Sequence, residues 1–429
     1  MNRRSFIKKN TTLLAGAAVA SVLPLTASAN TSARKGFVRI GVVGTGNRAR
    51  GLMNHLLSIR GVEIPAVCDI NPAALAAAQH IVVKHGQPKP EGYAGPIDYK
   101  KLMDRDDLDA VVIGSPWDLH TPMSVYAMKA GKIVGCEVPI AYTLEECWEL
   151  IKTHEQTGVQ CMMLENWSFR PDNLAVLNMI RKGSFGTMTH AHCAYSHNCI
   201  NHWYFDPKTG NDRWGARFLI EHNRAQYPTH QQGPVISWMD INCGDYYDTL
   251  TSTATGCFSI NEYFKRHFPN HPNGDRKYAQ GDIVTTVVRT KNGKSIVINY
   301  DMQSPRPYDN RWEVQGTRGI YNEQRNAVSM EKNRRQQDWE PFPPHQKANQ
   351  HPWAAAASGG HGGADGLMLT QFVKAIREKK RLPLSLYDGV LMSSIGPLSE
   401  ASIADGSKVI QVPDFTSGKW KTNKPYFGL

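Results

Sequence analysis

Short apolar runs separated by helix-length stretches dominate the first third of the chain. Val38 to Val43, Glu63 to Cys68, Ala110 to Gly114, Lys132 to Cys136 and Gln160 to Leu164 each read as a buried strand. Pro72 to Lys84, Tyr99 to Arg105 and His120 to Ala130 read as helices, the last stopped by Gly131. Thr143-Leu144-Glu145-Glu146 is a capping box for a further helix through His154. Strands alternating with helices predict βαβ units and a parallel sheet. After about residue 167 the period changes. Thr187 to Ser196 and Ile283 to Thr290 alternate, and Lys294 to Tyr300 follows through the hairpin signal Lys291-Asn292-Gly293. These predict a second, mainly antiparallel sheet. Ala364 to Lys379 predicts a late helix. Residues 333 to 362, rich in Pro, Gln, His and Gly, predict a long loop, and the tail from Pro413 predicts extended chain.

The connection after the first strand gives that sheet a ligand. Gly44-Thr45-Gly46-Asn47-Arg48-Ala49 is a G-x-G-x-x-[GA] turn opening a helix. Gly44 permits the tight turn, Gly46 lets backbone approach a pyrophosphate, and Ala49 is small enough for helix-on-strand packing. The helix N-terminus offers free N–H groups to phosphates. Asp69, ending the second strand, is placed to accept from a ribose 2′-OH and to repel a 2′-phosphate, which favours NAD over NADP. The fold class expected is α/β. A Rossmann dinucleotide-binding domain covers 36–166, and an α+β substrate-binding domain with a largely antiparallel open sheet covers 167–429.

The first 29 residues differ from the rest. Arg3-Arg4 in a basic start, an apolar run from Leu13 to Leu25 and Ala27-Ser28-Ala29 predict a Tat signal peptide over 1–29. The run is too short to span a bilayer comfortably, so no stable membrane insertion is expected. The reading places the protein in the periplasm or at the cell surface of a bacterium. Tat carries folded proteins, which suits a chain that collects its dinucleotide before export. Cleavage removes four basic residues and no acid, taking the net charge from +11 to +7. There is no basic run interleaved with aromatics, so nucleic acid is not an expected partner. Eight cysteines form no C-x-x-C, and one bridge stays open as an option. The 16 histidines show no metal spacing, and no metal is expected. A homo-oligomer is allowed but not specified.

With these features the chain resembles the Gfo/Idh/MocA oxidoreductase superfamily, through the Gly-rich turn, Ser115-Pro116-Trp117 and the Glu137 loop. Members usually carry Glu-Lys-Pro at that loop, with a catalytic Lys. Here Val138 stands in its place and cannot exchange a proton. The departure is similar to one branch, glycoside hydrolase family 109, the NAD-dependent α-N-acetylgalactosaminidases. The matching pieces include Thr143-Leu144-Glu145-Glu146-Cys147-Trp148, Leu164-Glu165-Asn166, Tyr227-Pro228-Thr229-His230 with Gly233-Pro234, Gln280-Gly281-Asp282, Arg306-Pro307-Tyr308 and Gly360-His361-Gly362-Gly363.

That resemblance implies hydrolysis with retention, in which sugar C3 is oxidised, the C1 aglycone is eliminated across C1–C2, water adds, and C3 is re-reduced. NAD, one per subunit, is held tightly and recycled. His230 is implied as the group that takes the C3-OH proton, its reference pKa of about 6.5 suiting reversible transfer. Tyr195 is implied as a sugar contact and the C2 base, a role that needs its pKa of about 10 lowered. On the residues alone, Tyr227-Pro228-Thr229 could equally be a turn with His230 facing solvent, and Tyr195 a plain sheet residue. The resemblance adds Arg213, Tyr227, Pro228, Thr229 and Tyr308 as substrate contacts. It implies Gly44, Gly46, Asn47, Arg48, Asp69, Trp117, Asp118, Leu119, His120, Glu137, Val138, Asn166 and Tyr227 as cofactor contacts. One departure matters: Trp214 is followed by Gly215 where the family carries Arg, so either Arg213 or Arg217 supplies that guanidinium or neither does and the contacts to the sugar, with the N-acetylgalactosamine specificity, differ from the family's. The expected partner is a glycan or glycoside. Competing readings are an NAD-dependent sugar oxidoreductase and a glycan-binding protein that keeps NAD structurally.

Overall fold

The computed structural model describes residues 36–331 and 338–429. The expected signal segment, 1–29, lies outside them. The N-terminal apolar runs build a six-stranded parallel sheet ordered β3-β2-β1-β4-β5-β6. Its strands are β1 (Val38–Val43), β2 (Val62–Cys68), β3 (Glu91–Tyr93), β4 (Ala110–Ile113), β5 (Ile133–Cys136) and β6 (Cys161–Met163). The order runs outward both ways from the β1/β4 junction, the topological switch point beside which such sheets bind ligands at their strands' carboxyl ends. β3 was not expected, being only three residues long.

The C-terminal alternating runs build a nine-stranded sheet ordered β14-β13-β12-β11-β7-β10-β9-β8-β15. The strands are β7 (Met188–Ser196), β8 (Tyr247–Ala254), β9 (Val284–Thr290), β10 (Ser295–Asp301), β11 (Glu313–Gly316), β12 (Gly319–Asn322), β13 (Ala327–Met330), β14 (Glu340–Pro341) and β15 (Ile410–Gln411). All its pairs are antiparallel except β7 with β10. The Lys291-Asn292-Gly293 turn joins β9 to β10, with Gly293 at φ +82°. The fold is thus a Rossmann domain followed by an α+β domain with a largely antiparallel sheet.

Two expectations fail. The stretch 338–362 is not a long loop. It carries β14, a helix Phe342–Ala348 opened by prolines in its first turn, and 3₁₀ turns at Pro352–Ala356 and His361–Gly363. The tail from Pro413 is not extended: Asp414 accepts from the backbone N–H of Thr416 and Gly418, and a 3₁₀ turn follows at Lys419–Lys421. The helix Leu386–Ala404 carries no readable helical signal in the sequence, because Pro397 and two glycines interrupt its pattern. The late helix Ala364–Arg377 leaves the second sheet and packs on helix Asn47–Ser58, beside the Gly-rich turn. All eight cysteines are free.

Candidate active site

The Gly-rich turn has the geometry of a phosphate cradle. Gly44 sits at φ +77°, and a Cβ there would lie 2.6 Å from the Ser115 nitrogen. A Cβ at Gly46 would meet nothing within 4 Å among the described residues, so the space above it is open. A Cβ on Gly114 would stand 2.9 Å from that of Ala49, which shows how closely helix and strand approach. No side chain caps helix Asn47–Ser58, so its first N–H groups are available to an anion. Asp69 closes β2 as expected. Its Oδ2 accepts from Thr45 N at 2.6 Å and Thr45 Oγ1 at 3.1 Å, and its Oδ1 accepts from Asn71 N at 2.8 Å. Three of a carboxylate's roughly four acceptor positions are therefore filled, which leaves one on Oδ1 for a ribose hydroxyl. These residues fit a dinucleotide.

Behind the turn lies a charged network. Arg48 donates from Nε to Glu137 Oε1 at 2.7 Å and, bidentate, to Asp365 at 2.8 and 2.9 Å. Asp365 also accepts from Asn166 Nδ2 at 2.9 Å and lies 2.7 Å from His361 Nδ1. Burial alone would raise the Asp365 carboxyl. The His361 and Arg48 contacts outweigh it and hold the group well below the usual carboxylate range. Asn166 Oδ1 and Ser115 Oγ, both buried here, have no hydrogen-bond partner among the described residues.

The second domain brings a histidine and two tyrosines to this edge. Helix Thr229–Trp238 aims its first turn at the carboxyl end of β6. His230 Nδ1 lies 2.7 Å from Glu165 Oε2, and His230 Nε2 lies 3.1 Å from the Tyr227 hydroxyl. Glu165 is fully buried and also accepts from Trp167 N. A carboxylate at Nδ1 fixes the proton there and leaves Nε2 as the basic atom. Gly233, one turn after His230, makes this approach feasible: a Cβ there would stand 2.8 Å from Glu165 Cγ. Tyr195, near the end of β7, places its ring centroid 5.2 Å from that of His230 and 5.0 Å from that of Tyr227. Burial pushes both the Tyr195 and Tyr227 phenols well above their ordinary value. The lowered pKa that a C2 base role asks of Tyr195 is therefore not supplied; its surroundings hold it protonated.

The remaining expected residues divide. Trp117 is buried and stacks near Tyr227 at 5.7 Å, Tyr308 lies 5.7 Å from Tyr195, and Pro228 and Thr229 open the His230 helix. Val138 is buried and carries no proton-transfer group into the loop after β5. Leu119 is 38% exposed. His120 does not offer a free polar atom: its ring nitrogens lie 2.7 Å from the Pro139 carbonyl and 2.8 Å from the Ser115 carbonyl, tying two loops together. Burial lowers its pKa, so the neutral ring donates to one carbonyl at a time. Arg213 is also turned away. It donates to the Asn201 and His202 carbonyls and to Asp206. Arg217 is the arginine directed to the cluster, 2.6 Å from Asp118 and stacked on Phe218, whose ring packs on Trp117. A side chain at Gly215 would collide with the Trp203 carbonyl at 2.8 Å, so an arginine does not fit there.

Family comparison adds to this geometry. The model of the glycosyl hydrolase 109 C-terminal domain matches residues 169–422, and that of the oxidoreductase family with an NAD-binding Rossmann fold matches 38–165. The chain belongs to glycoside hydrolase family 109. A glycosyl hydrolase family 109 protein of Stenotrophomonas maltophilia (strain K279a) is 37% identical, the match covering 100% of this chain and 98% of the relative. One from Shewanella pealeana (strain ATCC 700345 / ANG-SQ1) is 38% identical over 90% of this chain and 87% of its own. Among solved structures, an oxidoreductase domain protein from Kribbella flavida matches with a TM-score of 0.69 at 18% identity, covering 88% of this chain and 100% of its own. A levoglucosan dehydrogenase in complex with NADH matches at 0.68 and 18%, covering 88% and 99%. At such identities the solved structures establish the fold alone.

In this family 109 protein, sequence reasoning missed two site residues. Glu165 stands in Leu164-Glu165-Asn166, which carries the resemblance but has no spacing that marks an acid–base partner. Asp365 has no local signal beyond the Gly360-His361-Gly362-Gly363 string before it. Both are buried acids that meet partners remote in sequence, His230 for Glu165 and Arg48 with Asn166 for Asp365.

Proposed function

We propose that the protein is an exported NAD-dependent glycosidase that removes terminal α-N-acetylgalactosamine, or a related hexose, with net retention. The observation that carries this reading is the Glu165–His230–Tyr227 chain, set at the carboxyl edge of an NAD-binding sheet. Bound NAD supplies a hydride acceptor for sugar C3 and, once reduced, the donor that restores it. Gly44, Gly46, the first turn of helix Asn47–Ser58 and Asp69 would hold it. His230 Nε2 takes the C3 hydroxyl proton, and Glu165 stabilises the imidazolium that results. The C3 ketone acidifies the C2 proton, which passes to solvent water as the C1–O bond breaks; the aglycone leaves as its alcohol with a proton from solvent, and water then adds across C1–C2. Tyr195, kept protonated by burial, donates a hydrogen bond to a sugar oxygen. Tyr227 and Tyr308 frame the sugar. Such chemistry departs from the paired-carboxylate route of most glycosidases. Export by the twin-arginine segment delivers the folded protein to the periplasm or cell surface.

The test is hydrolysis of p-nitrophenyl α-N-acetylgalactosaminide by purified protein without added NAD. Nitrophenol release with no net NADH, and solvent deuterium at C2 of the product, are expected. Stoichiometric NADH with the glycoside intact would instead make the protein a sugar oxidoreductase. Replacing Arg3 and Arg4 by lysine should leave the protein in the cytoplasmic fraction; unchanged export would remove the Tat assignment.

A further inference from the structure

A cavity of about 530 Å³ opens beside the proposed sugar site and takes no part in the chemistry above. Its walls come from the turn after β7, from helix Ser259–His267 with Phe268, and from the loop at Pro305. It adjoins the reactive cluster through both ends of its wall. Asn198 directly follows His197, whose ring lies 5.0 Å from that of Tyr308. Pro305 precedes Tyr308 by three residues. The volume falls in the range of small-molecule sites, roughly 300–1,000 Å³.

The walls are braced from outside. Tyr263 donates its hydroxyl to Asn201 Oδ1 at 2.6 Å, and Arg213 donates to the Asn201 carbonyl at 3.2 Å. The Asn198 and Asn201 side-chain NH₂ groups have no acceptor among the described residues, although both line the space. Tyr263 and Phe268 add flat apolar faces. Arg266 adds the positive charge: its Nε reaches the Glu262 carbonyl at 3.3 Å, while its guanidinium meets no carboxylate among the described residues. No acid lines the cavity. Unpaired amide donors, flat rings and one unopposed guanidinium suit a saccharide unit that bears an anionic group, since a guanidinium matches a carboxylate with two parallel bonds.

We propose that this cavity is a subsite for an acidic sugar, a uronate or sulfated unit, of the glycan. It rests on the glycosidase reading for its ligand class, because its lining residues Asn198 and Pro305 stand next in the chain to the His197 and Tyr308 segments that border the sugar site. Arg266 selects the charge, and Arg213 acts by holding the Asn201 wall.

The experiment titrates methyl β-D-glucuronide and methyl β-D-glucoside into full-length NAD-loaded protein by ligand-observed NMR. Wild type should bind the glucuronide in preference to the glucoside. Arg266→Ala should weaken the glucuronide about tenfold, the scale of one charge-assisted pair, and leave the glucoside unchanged. The same variant should hydrolyse p-nitrophenyl α-N-acetylgalactosaminide at the wild-type rate, because that aglycone has no anionic unit for the cavity. Equal binding of the two sugars to wild type, or undiminished glucuronide binding by Arg266→Ala, overturns the subsite. Competitive inhibition by glucuronide that persists in Arg266→Ala overturns it as well, by placing the acid in the sugar cleft. The titration needs no turnover, so a protein without glycosidase activity would fail the function while still deciding the cavity.

Discussion

His230 has one ring nitrogen committed to a fully buried carboxylate and the other turned to a tyrosine hydroxyl. That asymmetry makes its role testable. His230→Ala should lower kcat by about 10²–10⁴-fold, the usual contribution of a positioned acid–base group. NADH fluorescence should show the cofactor still bound, and wild-type turnover would take His230 out of the mechanism. Glu165→Gln keeps the shape but removes the charge that favours the imidazolium. It should lower kcat more than it raises KM. Tyr195 gives a different expectation. Burial raises its phenol, so the group stays protonated through and beyond its ordinary titration near pH 10. Tyr195→Phe should therefore lower kcat/KM without changing the shape of its pH profile between about pH 6 and 9. Loss of an acidic limb in that variant would restore the ionised-base role, because a base acts only once deprotonated. His230, Tyr227 and Tyr195 were legible as residues because they stand in recognisable strings. Glu165 was not, because 65 positions separate it from its histidine and no local period reports that they meet. The choice between Arg213 and Arg217 was likewise invisible, since it depends on which neighbouring carbonyls and acids the fold presents.

At the scale of elements, strands and their alternation were readable, and the contacts between elements were not. β1, β2, β4, β5 and β6 are short and apolar because helices cover both faces, and that composition announces itself. The β9–β10 hairpin followed from three turn residues. Helix Leu386–Ala404 stayed hidden because its glycines and proline break the expected pattern, yet Gly389 is there for packing: a Cβ would stand 2.9 Å from that of Met163 on β6. Helix Thr229–Trp238 uses the same device at the reactive centre. Gly233→Ala would ordinarily favour a helix by roughly 0.5–1 kcal/mol. Here the added methyl falls 2.8 Å from Glu165 Cγ and 2.9 Å from Ser168 Oγ, so overlap at about 1–3 kcal/mol prevails. The helix must move outward, stretching the 2.7 Å His230–Glu165 contact. The variant should be folded but less stable in urea, with kcat reduced and NAD affinity retained. A more stable and fully active Gly233→Ala would show that the close approach is not needed.

The whole molecule is closed by the chain returning late to the cofactor edge. Helix Ala364–Arg377 packs on helix Asn47–Ser58, and Asp365 at its start gathers Arg48, Asn166 and His361 from three other segments. No run of sequence could announce this, because its members span residues 48 to 365. On the proposed reading of Arg48 as a dinucleotide contact, Asp365 couples cofactor binding to global stability. Its folded carboxyl is held well below its unfolded value by His361 and Arg48, against the opposing effect of burial. A depressed folded pKa contributes stability that is complete above the unfolded pKa, near 4, and is lost as pH falls through the folded value. Asp365→Asn should accordingly lower stability at pH 7 by about 1–3 kcal/mol, the cost of leaving buried donors without their acceptor, discounted for the partial exposure of Arg48. The melting temperatures of the two proteins should converge as pH falls below about 4, where the wild-type contribution fades. NAD should raise the melting temperature of wild type more than that of the variant, because a loosened Arg48 binds the dinucleotide less well and ligand stabilisation scales with affinity. Equal NAD-induced shifts across the pH series would confine Asp365 to a structural role and separate closure of the molecule from recognition of its cofactor.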